Sequence, residues 1–160
     1  MGVGKTVVGK KLAQELGFKY IDTDQLIEKT KKRSIKDIFK KKGEPYFRDL
    51  ETEVLKTLHE YENYVISTGG GIVMLEENVK ILKEIGPLIL LWAEPNVVYE
   101  RIKDEKQRPL LQVPDPKEEI TKILARRKPT YQSVADFMVD TSSLKVEEAV
   151  KEIVQWLKSK

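Results

Sequence analysis

Gly4-Lys5-Thr6 carries the ending of the phosphate-loop pattern G-x-x-x-x-G-K-[ST]. In that pattern glycines let backbone N–H groups turn inward around a polyphosphate, at the positive end of a helix. The lysine neutralises β- and γ-phosphate oxygens, and the threonine hydroxyl ligates Mg²⁺. The helix half is present: Val7, Val8, Leu12, Ala13 and Leu16 form an apolar stripe that Gly17 stops. The opening glycine of the pattern would fall before Met1, and no strand precedes the loop. Taken alone, the tripeptide is equally compatible with a helix start bearing an exposed lysine.

Further residues could complete such chemistry. Asp22 and Asp24 leave a short apolar stretch two positions apart, so in extended chain they point the same way. One carboxylate of such a pair can hold Mg²⁺, directly or through water; the other can orient or deprotonate an attacking hydroxyl. Asp24 could instead cap the helix that follows. Arg48 and Glu51 are spaced i,i+3, either as a surface pair or as a guanidinium held in place to grip a carboxylate bidentately. Thr68-Gly69-Gly70-Gly71 follows a strand-like run, where consecutive glycines mark close backbone approach or a plain turn. Arg108 lies in a Pro-containing segment and could close on a transferring phosphate. Arg126-Arg127 near a helix end is ambiguous alone. His59, the only histidine, reads as a surface residue.

The elements that must position these residues alternate. Phe18–Ile21 reads as a strand, then a helix through Leu26 and Ile27. Lys29 to Lys42 holds eight basic residues and one acid, Asp37. It reads as a solvated face around Ile35, Ile38 and Phe39, or as a field that attracts an anion. Ser34 with Asp37 forms a capping box, Gly43 ends that helix, and Pro45 opens a longer one with Phe47, Leu50, Val54, Leu55 and Leu58 on its core face. Tyr64–Ser67 is a strand, and Glu76–Ile85 a helix. Leu88–Ala93 is an apolar run of the kind buried on both faces of a parallel sheet. A helix runs from Pro95 to about Asp104. Asp115 caps another to about Arg127. Ala135–Val139 is a last strand before a helix with Val146, Ala149, Val150, Ile153 and Leu157 on one face. Strands alternating with helices predict an α/β chain with a mostly parallel sheet. Ligands then sit beyond the carboxyl ends of strands, where Asp22-Thr23-Asp24, Gly69–Gly71 and the Asp140 loop all fall.

Composition narrows the class. The chain has 160 residues, 29 basic and 26 acidic, for a net charge of +3. That length suits one domain, and that balance speaks neither for nor against nucleic acid. With no cysteine there are no disulfides or thiolate metal sites. No apolar run is long enough to span a membrane, and the expectation is a cytoplasmic chain.

In order along the sequence stand MGVGKT, FKYIDTD, GEPYFRDLE, VISTGGG, RPLL, RRKPTY with the following VAD, and VDTSS. Together, at this spacing and over nearly the whole length, they resemble the shikimate kinases, P-loop kinases of the nucleoside-monophosphate-kinase-like group. The resemblance implies a three-layer P-loop kinase fold with a parallel sheet ordered 2-3-1-4-5. It implies transfer of the γ-phosphoryl group of ATP to the 3-hydroxyl of shikimate, on the way to chorismate and aromatic amino acids. Gly2, Val3, Gly4, Lys5 and Thr6 then match the phosphate loop, and Thr6 and Asp22 the Mg²⁺ site. Asp24 matches the carboxylate that faces the shikimate hydroxyls. Arg48, Gly69, Gly70, Gly71 and Arg127 match the acceptor site, with Glu51 supporting the arginines. Lys5, Asp24 and Arg108 are the expected catalytic residues, Arg108 coming from the lid. Arg101 and Val139–Ser143 match the adenine pocket, although Leu144-Lys145-Val146 stands where the family usually has a proline.

The resemblance also implies one domain over 1–160, an acceptor-binding subdomain over 25–60, and a mobile lid over 105–116. ATP and shikimate are the expected partners of a monomer that binds neither nucleic acid nor membrane. The alternatives are a related small-molecule kinase of the gluconate kinase type, or a nucleotide-binding protein without catalysis. In the family the first strand lies in mid-sheet and feeds the phosphate loop. The expectation is therefore a natural protein that extends upstream of Met1, with an apolar strand and a Gly-x pair.

Overall fold

Parallel strand pairs, each strand followed by a helix, make up the chain, as the alternating pattern predicts. The computed structural model describes residues 2–104 and 113–160. Two compact units divide it: Gly9–Leu88, and Met1–Val8 with Ile89–Lys160. Arg108 and most of the expected lid over 105–116 lie outside the described residues.

In the first unit, β1 (Lys19–Asp22) pairs in parallel with β2 (Tyr64–Ser67), Asp22 opposite Ser67. This register brings the carboxyl ends of both strands to one rim. Helix α1 (Lys5–Leu16) leads into β1 through Gly17, whose φ of +67° suits glycine. Helix α2 (Thr23–Lys31) packs on α3 (Ile35–Thr57) through Ile27, Ile38, Phe47, Leu50 and Val54. Ser34 caps α3, its hydroxyl accepting from Asp37 N at 3.1 Å. Gly43 interrupts α3 with φ 81° and ψ 175°, so the break expected there is a kink between two helical halves. Leu55, Leu58, Ile72 and Leu82 form a second core that includes α4 (Glu76–Ile85). His59 is half exposed in a short 3₁₀ turn, 3.9 Å from Glu84.

The other unit pairs β3 (Ile89–Trp92) with β4 (Phe137–Asp140), again in parallel, Trp92 opposite Asp140. The two pairings are those that the order 2-3-1-4-5 contains apart from strand 1. Helices α5 (Pro95–Ile102) and α6 (Pro116–Val134) bury Val98, Ile102, Ile120 and Leu124 around Val3, Trp92 and Ala93. Helix α7 (Val146–Lys158) buries Ala149, Val150 and Ile153, and Trp156 stacks on Phe137 at 5.0 Å. Asp115 caps α6 as expected, accepting from Glu118 N at 2.9 Å. The helix does not end near Arg127, however. It runs through Pro129 to Val134, so the RRKPTY stretch is helical. Proline costs one intrahelical bond, which five further residues of helix outlast. Among the described residues no helix is long and apolar enough to cross a membrane.

Thr141 joins three segments of this unit. The residue is 4% exposed; its hydroxyl lies 3.0 Å from both Val3 O and Trp92 O, while its N–H donates to Trp92 O at 2.7 Å. Thr141→Val keeps the shape and strands a buried carbonyl. We expect a loss of about 1–3 kcal/mol in chemical denaturation; a loss below about 0.5 kcal/mol would show the joint to be dispensable.

Candidate active site

Helix α3 builds the first half of the site in the Gly9–Leu88 unit. The sequence places Glu44, Arg48 and Glu51 one turn apart on one face, as i,i+4 and i,i+3 neighbours. Arg48 Nη1 donates to Glu51 Oε2 at 2.5 Å, and Arg48 Nη2 and Nε donate to Glu44 Oε1 at 2.9 and 3.2 Å. This is no surface pair: the Glu51 side chain is fully buried and Arg48 is 21% exposed. Partial burial pulls the guanidinium pKa down, but the hydrogen bonds it donates to Glu51 and Glu44 outweigh this and hold Arg48 above its usual value. Glu44, 62% exposed, is a partner beyond the expected Arg48–Glu51 pair, and its i,i+4 spacing to Arg48 is the sequence signal for it.

The glycine loop after β2 closes on this pair. Neither Gly69 nor Gly71 lies in the left-handed region that favours glycine, so that conformation is not why they are glycines. Space is. A Cβ on Gly69 would stand 2.9 Å from Glu51 Oε1 and 3.1 Å from Asp24 Oδ1. A Cβ on Gly71 would run into the Arg48 guanidinium. Asp24, Arg48, Glu51, Gly69 and Gly71 are thus brought together.

The two aspartates are not arranged as extended chain would place them. Helix α2 already starts at Thr23, so Asp22 ends the strand while Asp24 sits in the first helical turn. Asp22 is the cap: its Oδ1 accepts from Asp24 N at 2.9 Å and Gln25 N at 3.3 Å, and Tyr20 Oη lies 3.4 Å from Oδ2. Asp24 is therefore not the cap, and its carboxylate faces Gly69. Thr23, fully buried, accepts from Gly69 N at 3.4 Å and ties the start of α2 to the loop.

The phosphate-loop residues belong to the other unit. Gly2 and Gly4 have φ of +63° and +87°, the region that favours glycine. A Cβ on Gly2 would also stand 3.0 Å from Val98 and Ile102 side-chain carbons. Lys5 and Thr6 open α1, Thr6 exposed. Val3 buries its side chain among Trp92, Ala93 and Val98, leaving only its backbone to offer a ligand. Arg101 donates through Nη1 to Gly2 O at 3.3 Å and through Nη2 to Thr141 O at 2.5 Å, linking the loop to the Val139–Ser143 segment. Ser142 donates to Asp140 from hydroxyl and backbone, which holds the Asp140 carboxyl below its ordinary range. Arg127 is half buried on α6, its side chain in no hydrogen bond or ion pair among the described residues. Lys128, its neighbour, lies 4.6 Å over the Trp92 ring.

Two alanine substitutions separate crowding from conformation at these glycines. Gly71→Ala must displace Arg48 from its carboxylates, and we expect it to destabilise by about 1–3 kcal/mol. Gly86→Ala, in extended backbone with no atom within 4 Å of the new Cβ, should change stability by less than about 0.5 kcal/mol. Equal effects in urea denaturation would contradict this account of the loop.

Known proteins resemble this chain over nearly its whole length. The family model described as shikimate kinase matches residues 1–158. A shikimate kinase of Thermodesulfovibrio yellowstonii is 46% identical over 97% of this chain and 89% of its own length. One of Caldanaerobacter subterraneus is 44% identical over 97% of this chain and 90% of its own. Among solved structures, the shikimate kinase of Acinetobacter baumannii in complex with shikimate superposes with a TM-score of 0.93 at 36% identity, covering 99% of this chain and 89% of that one. The Aquifex aeolicus shikimate kinase gives 0.85 at 42% identity, covering 99% and 92%. The α/β fold with parallel strands is that of these P-loop kinases, and the chain belongs to the shikimate kinase family.

Proposed function

We propose that Arg48, Asp24 and the Gly69–Gly71 backbone bind the acceptor of an ATP-dependent phosphoryl transfer, with the shikimate carboxylate on Arg48. The chain is a kinase of the family that phosphorylates shikimate, passing the γ-phosphoryl group of ATP to the acceptor's 3-hydroxyl. One observation carries the site assignment: a guanidinium held by buried Glu51, still 21% exposed, beside a glycine backbone that leaves no room for a side chain. Glu51 cannot leave without stranding a buried charge. Glu44 is 62% exposed and can yield the Nε/Nη2 edge, the bidentate edge a carboxylate prefers.

Phosphoryl transfer needs positioning and neutralisation of charge more than covalent catalysis. Asp24 orients the attacking hydroxyl and takes its proton. Lys5 and the N–H groups of Gly2, Val3 and Gly4 hold the phosphates, and Arg108 adds a cation at the transferring group. Arg127 is a second cation for the acceptor carboxylate, and Arg101 with Val139–Ser143 holds the adenine; these roles rest on the family resemblance. So do an acceptor subdomain over 25–60, a lid over 105–116, and a monomer working in the cytoplasm.

Among the described residues no three His, Asp, Glu or Cys side chains cluster to hold a metal. A kinase metal does not need such a cluster, because Mg²⁺ keeps waters and shares its remaining positions with substrate phosphates. The Thr6 hydroxyl and the Asp22 carboxylate are hard oxygen donors of the right kind, Asp22 acting through water since its Oδ1 already caps α2. In the arrangement that the family resemblance implies, Mg²⁺ held by these two residues would neutralise charge on the β- and γ-phosphates.

A coupled assay for ADP release tests the reading: release should depend on shikimate. In the same assay Arg48→Lys keeps the charge and loses the fork. We expect the shikimate KM to rise by the equivalent of about 2 kcal/mol, the low end for a partly exposed pair, with the ATP KM nearly unchanged. Asp24→Asn should depress kcat with little effect on either KM. Equal loss for both substrates in Arg48→Lys, or ADP release indifferent to shikimate, would overturn the assignment.

A further inference from the structure

Behind the glycine loop runs a chain of polar contacts that reaches no ligand position. Asn78, on α4, is fully buried. Its Nδ2 donates to Ile72 O at 3.0 Å, one residue past Gly71. Its Oδ1 accepts from the Thr52 hydroxyl at 2.8 Å, and that hydroxyl also lies 3.2 Å from Arg48 O. The Arg48 backbone and the end of the glycine loop are therefore linked through two side chains. Asparagine suits the place because its amide offers a donor and an acceptor at one end; the two partners fix which way it points. The turn itself is held by weaker bonds, Ile72 N to Gly69 O at 3.3 Å and Met74 N to Gly71 O at 3.1 Å.

We propose that Asn78 and Thr52 are positioning residues that set the distance between the Gly71 backbone and the Arg48 guanidinium, and so the fit of the acceptor carboxylate. The inference rests on the acceptor role given to Arg48 above. Its physical basis is the close approach at Gly71. Where a single Cβ would already collide with Arg48, small slack at Ile72 alters what the guanidinium can reach. The carbonyl of Ile72, with its fully buried side chain, has the Asn78 amide as donor. An interior bond chain of this kind transmits position because each group is costly to leave unpaired.

The test is steady-state kinetics on Thr52→Val, Thr52→Ser, Asn78→Leu and Arg48→Lys, with KM for shikimate and for ATP measured separately, well below each variant's Tm. Thr52→Val is isosteric and removes only the hydroxyl, with its contacts to Asn78 Oδ1 and Arg48 O. It should raise the shikimate KM about tenfold, equivalent to about 1.4 kcal/mol, with the ATP KM within about twofold. Thr52→Ser should restore the shikimate KM to within about twofold. Asn78→Leu should act like Thr52→Val or more strongly; if it does not fold, the Thr52 pair decides. A purely structural role would lower Tm without separating the two KM values. An unchanged shikimate KM in Thr52→Val, equal rises for both substrates, or no rescue by serine would overturn the inference while Arg48→Lys still raises the shikimate KM. If Arg48→Lys also leaves that KM unchanged, the acceptor assignment itself is what fails.

Discussion

The contact between Arg48 and Glu51 constrains everything around it. Glu51 is wholly buried, and an unpaired carboxylate there would be expensive, so the arginine is held as firmly as the helix that bears both. Once the guanidinium is fixed, the loop beyond β2 has to pass it without side chains. That is the physical content of Gly69 and Gly71, whose backbone angles any residue could adopt. The same constraint reaches Asp24, whose carboxylate stands beside Gly69 because β1 and β2 end in register at Asp22 and Ser67.

The Ile89–Lys160 portion and the phosphate-loop residues follow a similar logic with different chemistry. Thr141 is the joint. It lies within hydrogen-bonding distance of the carbonyls of Val3 and Trp92, and Arg101 adds bonds to Gly2 and Thr141. The loop that is read as cradling phosphate is thereby tied to the strand ends of its own unit. Polar groups at strand ends fix functional backbone in both units, Thr23 on Gly69 in one and Thr141 on Val3 in the other.

Much of this was legible in the sequence, for reasons that can be stated. The strand Tyr64–Ser67 and the helix Glu76–Ile85 have the predicted bounds because strand and helix periods are local properties. The spacing of Arg48 and Glu51 and the run of three glycines were visible for the same reason. What was not visible depended on tertiary contact. Asp22 and Asp24 looked alike in sequence; a helix starting one residue after the strand gives them opposite jobs. The helix capped by Asp115 was expected to end near Arg127, and it continues through Pro129 to Val134. Thr23, Thr52 and Asn78 carry no periodic mark, since a buried polar residue reads like an exposed one until its partners are placed.

The claim on which the account turns is that Arg48 recognises the acceptor by its carboxylate. The direct measurement is kcat/KM for shikimate against its neutral carboxamide, in wild type and in Arg48→Lys. The account predicts that wild type prefers shikimate by at least about tenfold, equivalent to about 1.4 kcal/mol, and that the preference shrinks in Arg48→Lys. Equal kcat/KM for acid and amide in wild type, or a preference untouched by the substitution, would contradict it.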